Sequence, residues 1–296
     1  MKPGIRLAPA LIAATSVVLA GCSSVPGGET STGTVEVLVS VYPLQFVAEK
    51  VGGAQVEVGS LTPPGVEPHD LELSPRAVSL VDEADLVVYL RGFQAAVDDA
   101  VGAADPAVVV DAAGYADLGA GDQQAGLDPV FWLDPARLAG LADDVAEALA
   151  GVDPANAADY AANASTLRAD LLALDEEFRA GLDSCESRTI VVPHEAYGYL
   201  TDAYGLEQVG LAGRNPEAEP SPARLAELSD LIRAEGVTTL FTDPLASPRP
   251  TKTLAAELGL ETAVLDPLEG LVDDGKDYLQ VMEENLAALR GGLGCR

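Results

Sequence analysis

Only two histidines occur in the chain of 296 residues, and both stand where α/β proteins build their sites. His69 lies in the loop Leu61–Pro75, stiffened by Pro63, Pro64 and Pro68, since each proline fixes its own φ. His194 follows Pro193 at the end of the apolar run Thr189–Val192. Ligand sites in parallel sheets form beyond the carboxyl ends of the strands, and both histidines obey that rule. So does Asp266, directly after the run ending at Leu265, and so does Asp243, two residues beyond Phe241. A lone histidine is more often structural or solvated. Two imidazoles and a carboxylate at equivalent strand ends are instead chemistry suited to Zn²⁺ or Mn²⁺.

The elements that must position these residues alternate between strand and helix. Val35–Val39 reads as a strand, Leu44–Val51 as a helix closed by Gly52 and Gly53, and Val56–Leu61 as the strand feeding the His69 loop. Ser74 and Pro75 start a helix that runs to Glu83; Leu86–Tyr89 is a buried strand, Phe93–Val101 a helix and Ala107–Val110 a strand. Residues 112–127 carry no clear pattern, and Asp128–Pro135 leads into the helix Ala136–Ala150. This order predicts an α/β fold with a mainly parallel sheet. Asp153, a good N-cap, and Pro154 then open an uninterrupted helical stretch to Gly181, about 27 residues and roughly 40 Å long, read as a rigid connection between two lobes. Alternation resumes with strands at Thr189–Val192, Gln208–Leu211, Thr238–Phe241 and Thr262–Leu265, and helices at Glu195–Tyr204, Ser221–Glu235, Pro250–Leu258 and Lys276–Arg290. The expected organisation is a signal segment over 1–21, a tether over 22–34, a first α/β lobe over 35–152, the connecting helix over 153–182 and a second α/β lobe over 183–296. The halves are alike in size and architecture without a convincing sequence repeat.

Charge narrows the partners. With 47 acidic and 17 basic residues the formal charge is -30, and such a surface repels phosphate backbones, so no nucleic-acid partner is expected. Lys2 and Arg6 precede the apolar stretch Leu7–Ala20, which is too short for a typical spanning helix. It ends in Leu19, Ala20, Gly21 and Cys22, resembling the bacterial lipobox in which the cysteine is lipidated and becomes the mature N-terminus. An ordinary cleaved signal with an incidental cysteine is the weaker alternative. The Ser/Gly/Thr-rich Ser23–Thr34 then reads as a flexible tether with a reach of roughly 20 Å. Cys185 and Cys295 remain, a disulfide candidate in an exported protein or two free thiols.

From Val35 to the C-terminus the chain resembles the metal-binding lipoproteins of bacterial ABC importers, the zinc/manganese family of two lobes joined by a rigid helix. The resemblance is carried by Pro64–Asp70, Phe131–Pro135, Pro193–Leu200, Glu217–Pro222, Thr242–Pro244 and Leu265–Leu268. It implies metal ligands at His69, His194 and Asp266, a cognate permease as partner, and extracytoplasmic capture of the ion by coordination; a monomer is expected. One position departs: the family carries a histidine where this chain has Val130, and valine coordinates nothing. The His-rich loop of many zinc-specific members, expected near 112–127, is absent from the sequence. Histidine at position 194, where manganese members carry glutamate, favours zinc over manganese.

Several residues carry a bland reading beside the sharp one. Trp132 lines the cleft or is a core anchor; Asp243 orients a ligand from behind or caps a turn; Glu67 and Glu195 replace the missing ligand or are solvated. Three protein ligands with an open position is also the pattern of catalytic zinc, with Glu195 as base, but no His-Glu-x-x-His helix is present. A third reading is a degenerate paralogue without tight metal binding, acting in cell adhesion or as an interaction lipoprotein.

Overall fold

The computed structural model describes residues 1, 33–116, 128–213 and 218–296. The lipobox with Cys22, and most of the expected signal segment and tether, lie outside the described residues, as does most of the patternless stretch before Asp128.

Two four-stranded parallel sheets carry the molecule. The first has β1 (Val35–Val39), β2 (Val56–Ser60), β3 (Leu86–Tyr89) and β4 (Val109–Asp111) in the order β2-β1-β3-β4. In the second, β5 (Thr189–Val192), β6 (Glu207–Gly210), β7 (Thr239–Thr242) and β8 (Glu261–Val264) follow the order β6-β5-β7-β8. Strands covered on both faces become continuous apolar runs, and β3 and β5 are buried at every residue. Register is set in the first sheet by Val37 opposite Val58 and Leu86. In the second sheet Val191 stands opposite Val209 and Leu240.

Helices between the strands start where side-chain caps and prolines direct them. Ser74 caps α2 (Pro75–Glu83) by accepting the Ala77 N–H, Asp134 caps α4 (Pro135–Val152), and Ser221 caps α7 (Pro222–Glu235); α1 (Tyr42–Gly52) and α3 (Ala95–Ala104) complete the first lobe. Asp153 does not play the capping part expected of it. Its carboxylate accepts from Asn156 Nδ2 at 2.6 Å and from the Tyr160 hydroxyl at 2.8 Å, so Pro154–Asn156 form a 3₁₀ turn before the long helix α5 (Ala157–Leu182) begins. Tyr160, Ala164, Leu167, Leu171, Leu174, Phe178 and Leu182 recur every three or four residues and form its buried seam. Toward its start α5 packs on α1 and α4; toward its end it meets α6 (Gly198–Tyr204) and α9 (Tyr278–Leu293). Asn163 donates to the Val51 carbonyl at 3.0 Å in the first lobe, and Asp175 accepts from the Tyr204 hydroxyl at 3.1 Å in the second. A single apolar core runs through both lobes, from Val37 through Trp132 and Phe178 to Tyr278.

α6 starts three residues later than the sequence pattern predicts. The intervening backbone is taken by side chains from other segments: Gln208 Oε1 accepts the Tyr197 N–H at 2.9 Å and Asp128 Oδ2 accepts the Gly198 N–H at 2.7 Å. Cys185 and Cys295 are bonded, closing a loop with a sequence separation of 110 and tying the end of α9 to the entry of the second lobe.

Candidate metal centre

The His69 loop leaves the carboxyl end of β2, and its geometry is held from below. Gln94, buried just before α3, donates Nε2 to Thr62 Oγ1 at 2.8 Å and to the Pro68 carbonyl at 3.2 Å. Thr62 in turn donates to the Ser40 carbonyl at 2.7 Å. Glu67 accepts the His69 N–H at 3.0 Å, and Phe93 meets the His69 ring edge-on, with centroids 4.9 Å apart. Across the cleft, Gly65 donates its N–H to the Leu271 carbonyl at 3.1 Å. His194 enters from the end of β5, fully buried.

Among the described residues, the His, Cys, Asp and Glu side chains that could hold one ion are His69, His194 and Glu269, whose ligand atoms all lie within 4.8 Å of one another. Glu269 Oε1 stands 3.3 Å from His69 Nε2 and 3.8 Å from His194 Nε2. On the far side of the His194 ring, Asp243 Oδ2 lies 3.5 Å from Nδ1 while Asp243 Oδ1 accepts the Leu245 N–H at 2.7 Å. Asp243 therefore both caps its turn and backs the imidazole, which leaves Nε2 as the atom that faces Glu269. Carboxylates placed this way fix ring orientation and raise ligand basicity.

Asp266, expected to be the carboxylate ligand, is not in this group. Its Oδ1 accepts the Leu268 N–H at 2.8 Å, and the following turn delivers Glu269 to the imidazoles instead. Strand-end position singled out the first carboxylate after β8; the turn that carries the third residue further inward has no period or spacing to announce it. The available signal was Glu269 itself, an acidic residue set in the apolar context of Leu268 and Leu271. Neither Glu67 nor Glu195 joins the group. Trp132 is a core anchor, with no exposed surface, its ring 5.9 Å from that of Phe93. Val130 is likewise buried in the core.

The electrostatics are those of a cation site. Burial alone would lower both imidazoles, but the Glu269 carboxylate, within hydrogen-bond reach of His69 Nε2 at 3.3 Å and close to His194 Nε2 at 3.8 Å, outweighs burial and holds His69 and His194 above the ordinary histidine value. Burial would raise Glu269, yet the two imidazoles hold it down to about 2. Both ring nitrogens of His194, Glu269 Oε2 and Asp243 Oδ2 are buried with no hydrogen-bond partner among the described residues. Buried orphans of this kind are costly; His194 Nδ1 and Asp243 Oδ2 face each other at 3.5 Å, while His194 Nε2 and Glu269 Oε2 offer lone pairs suited to a divalent ion.

Comparison with known proteins identifies the family. Residues 37–292 match the family described as ZnuA, zinc-uptake complex component A, periplasmic. The chain belongs to the ZnuA family. The high-affinity zinc uptake system protein ZnuA of Bacillus subtilis is 31% identical over 96% of this chain and 96% of its own length. The zinc-binding lipoprotein AdcA of Streptococcus pneumoniae is 30% identical over 93% of the chain but longer, so that the chain spans 58% of it. The ZnuA-like domain of that protein, solved with Zn(II) bound, is similar with a TM-score of 0.77 and 32% identity over 88% of this chain and 99% of that one. The laminin-binding protein Lmb of Streptococcus agalactiae, described as bifunctional with adhesin and metal transporting activity, is similar with a TM-score of 0.80 and 29% identity over 88% of this chain and all of that one. These likenesses agree with the two-lobed α/β architecture described above.

Proposed function

We propose that this ZnuA-family chain captures zinc outside the cytoplasm as the solute-binding component of an ABC importer, held at the membrane by a lipid on Cys22 and acting as a monomer. The observation that carries the reading is the convergence of half-buried His69 from the first lobe with buried His194 and Glu269 from the second. The ion is cargo: His69 Nε2, His194 Nε2 and Glu269 bind it, Asp243 keeps His194 turned toward it, and no covalent chemistry is required. Zinc is favoured over manganese because two imidazoles and a carboxylate suit it. With Val130 in place of a fourth protein ligand, the second oxygen of Glu269 or a water completes the shell. Because one core runs through both lobes, release at the permease requires only modest opening of the cleft.

Metal content of protein purified without chelator, followed by calorimetric titration with Zn²⁺ and Mn²⁺, tests the reading. Zinc should co-purify and bind more tightly than manganese; a protein that is metal-free as isolated and silent in both titrations would sink it. For the anchor, Cys22→Ser should move the protein from the membrane to the soluble exported fraction. Among the described residues no helix is long and apolar enough to cross a membrane. An adhesin without tight metal binding is the second reading; Val130 favours it, and the silent titration is its signature.

A further inference from the structure

Glu269 reaches the imidazoles through a turn that a leucine would not choose. Leu268 adopts φ +57°, in the left-handed region that bulky side chains rarely occupy. The other described non-glycine residue with positive φ is Asp105, at the C-cap of α3, where a short polar side chain is commonplace. Leu268 is not free to relax into solvent, because its side chain is buried in the core.

The three residues before Glu269 are each held by a different partner. Asn285, buried on α9, grips the backbone of Asp266 from both sides: its Oδ1 accepts the Asp266 N–H and its Nδ2 donates to the Asp266 carbonyl, both at 2.8 Å. The Pro267 carbonyl accepts the Trp132 indole N–H at 2.8 Å. On Leu268 itself the Asp266 carboxylate accepts the N–H at 2.8 Å, while the side chain is packed in the core. Short side chains that bond the backbone two residues on create turns in this way.

We propose that Asp266 is a positioning residue for the metal: its carboxylate holds Leu268 in the left-handed conformation and so presents Glu269 to His69 and His194. This rests on the reading of those three residues as the zinc site. What the turn needs from Asp266 is an acceptor oxygen and not a charge, which separates a positioning role from a ligand role.

The test compares wild type with Asp266→Asn, Asp266→Ala and Glu269→Gln by zinc titration against a competing chelator, with thermal melts confirming that each variant is folded. Asp266→Asn keeps an oxygen for the Leu268 N–H and should bind zinc within about threefold of wild type, while Asp266→Ala should lose about 10–100-fold. An Asn variant as weak as Glu269→Gln, or an Ala variant equal to wild type, would overturn the proposal. Amide hydrogen exchange at Leu268 in metal-free protein gives a second reading that needs no metal. Exchange should be slow in wild type and Asp266→Asn and faster in Asp266→Ala; unchanged protection in the Ala variant also overturns it. If wild type takes up no zinc, the function proposed above fails, and the exchange measurement still decides the role of Asp266.

Discussion

Trp132 donates its indole N–H to the carbonyl of Pro267 at 2.8 Å, so a residue of the first lobe holds the turn that carries Glu269 in the second. The carbonyl of Trp132 accepts in turn from the Tyr278 hydroxyl at 2.6 Å, on α9. Replacing Trp132 by Phe keeps an aromatic ring but leaves the Pro267 carbonyl without its donor. Stability should fall by about 1–3 kcal/mol, the ordinary cost of a buried group left unpaired. Zinc affinity should fall with it, because the Glu269 turn loses one of its anchors. Urea unfolding and zinc titration of the variant check both; a variant equal to wild type in each would show that this contact carries no weight.

The valine at position 130 gives the most direct test of an incomplete ligand set. Loss of a group that merely supports a ligand commonly costs about 10–100-fold in metal affinity, and a missing imidazole should cost no less. Val130→His is expected to strengthen zinc binding by at least roughly tenfold, and His194→Ala nearly to abolish it. If Val130→His leaves affinity unchanged while wild type binds tightly, another group already fills the position.

Affinity should also depend on pH. His69 and His194 sit above their ordinary value of 6.5 in the metal-free site, because Glu269 outweighs burial. Neutral imidazole is the ligand, so protons compete with zinc from a higher pH than at a free imidazole, and affinity should fall as pH drops through that range. Folding stability follows the opposite sign for these two groups. The metal-free fold binds their protons more tightly than the unfolded chain does, so their contribution is full below the ordinary histidine value. It is lost as pH rises through the raised values. Glu269, held down to about 2, contributes above the ordinary carboxylate range and loses that only as pH falls toward its folded value. Zinc titrations at a series of pH values, paired with chemical unfolding of the metal-free protein, separate the two effects.

The disulfide offers a prediction independent of metal. Cys185 and Cys295 close a loop with a sequence separation of 110, and by chain entropy such a loop contributes on the order of 4–5 kcal/mol, less any strain. The double variant Cys185→Ser/Cys295→Ser should therefore unfold at markedly lower urea concentration while still binding zinc, since neither cysteine belongs to the ligand group. Unfolding midpoints that coincide for wild type and variant would refute this.

Much of the architecture was legible because parallel strands are written as short apolar runs and because Ser-Pro pairs mark helix starts. Strand ends then led to His69 and His194. Legibility failed where tertiary contacts overrode local pattern. Tyr197 and Gly198 give their N–H groups to Gln208 and Asp128, so α6 begins late; Asp153 bonds Asn156 and Tyr160 and leaves the long helix uncapped by its side chain. Glu269, three positions beyond the expected Asp266, is the carboxylate that clusters with the two imidazoles. Leu268 between them has a left-handed backbone, and nothing in composition or periodicity reports such a turn.

The two sheets share one strand permutation, edge strand, first strand, third and fourth, yet they do not contribute matching ligands. His69 follows β2, an edge strand of its sheet; His194 follows β5, the counterpart of β1. The counterpart of β2 is β6; the described residues of the loop after it, 211–213 and 218–221, hold no imidazole, and their one carboxylate, Glu219, does not belong to the group of His69, His194 and Glu269. The shared strand order is therefore not matched at the cluster of His69, His194 and Glu269. Joining two copies of either lobe would repeat the strand order without bringing these three side chains together.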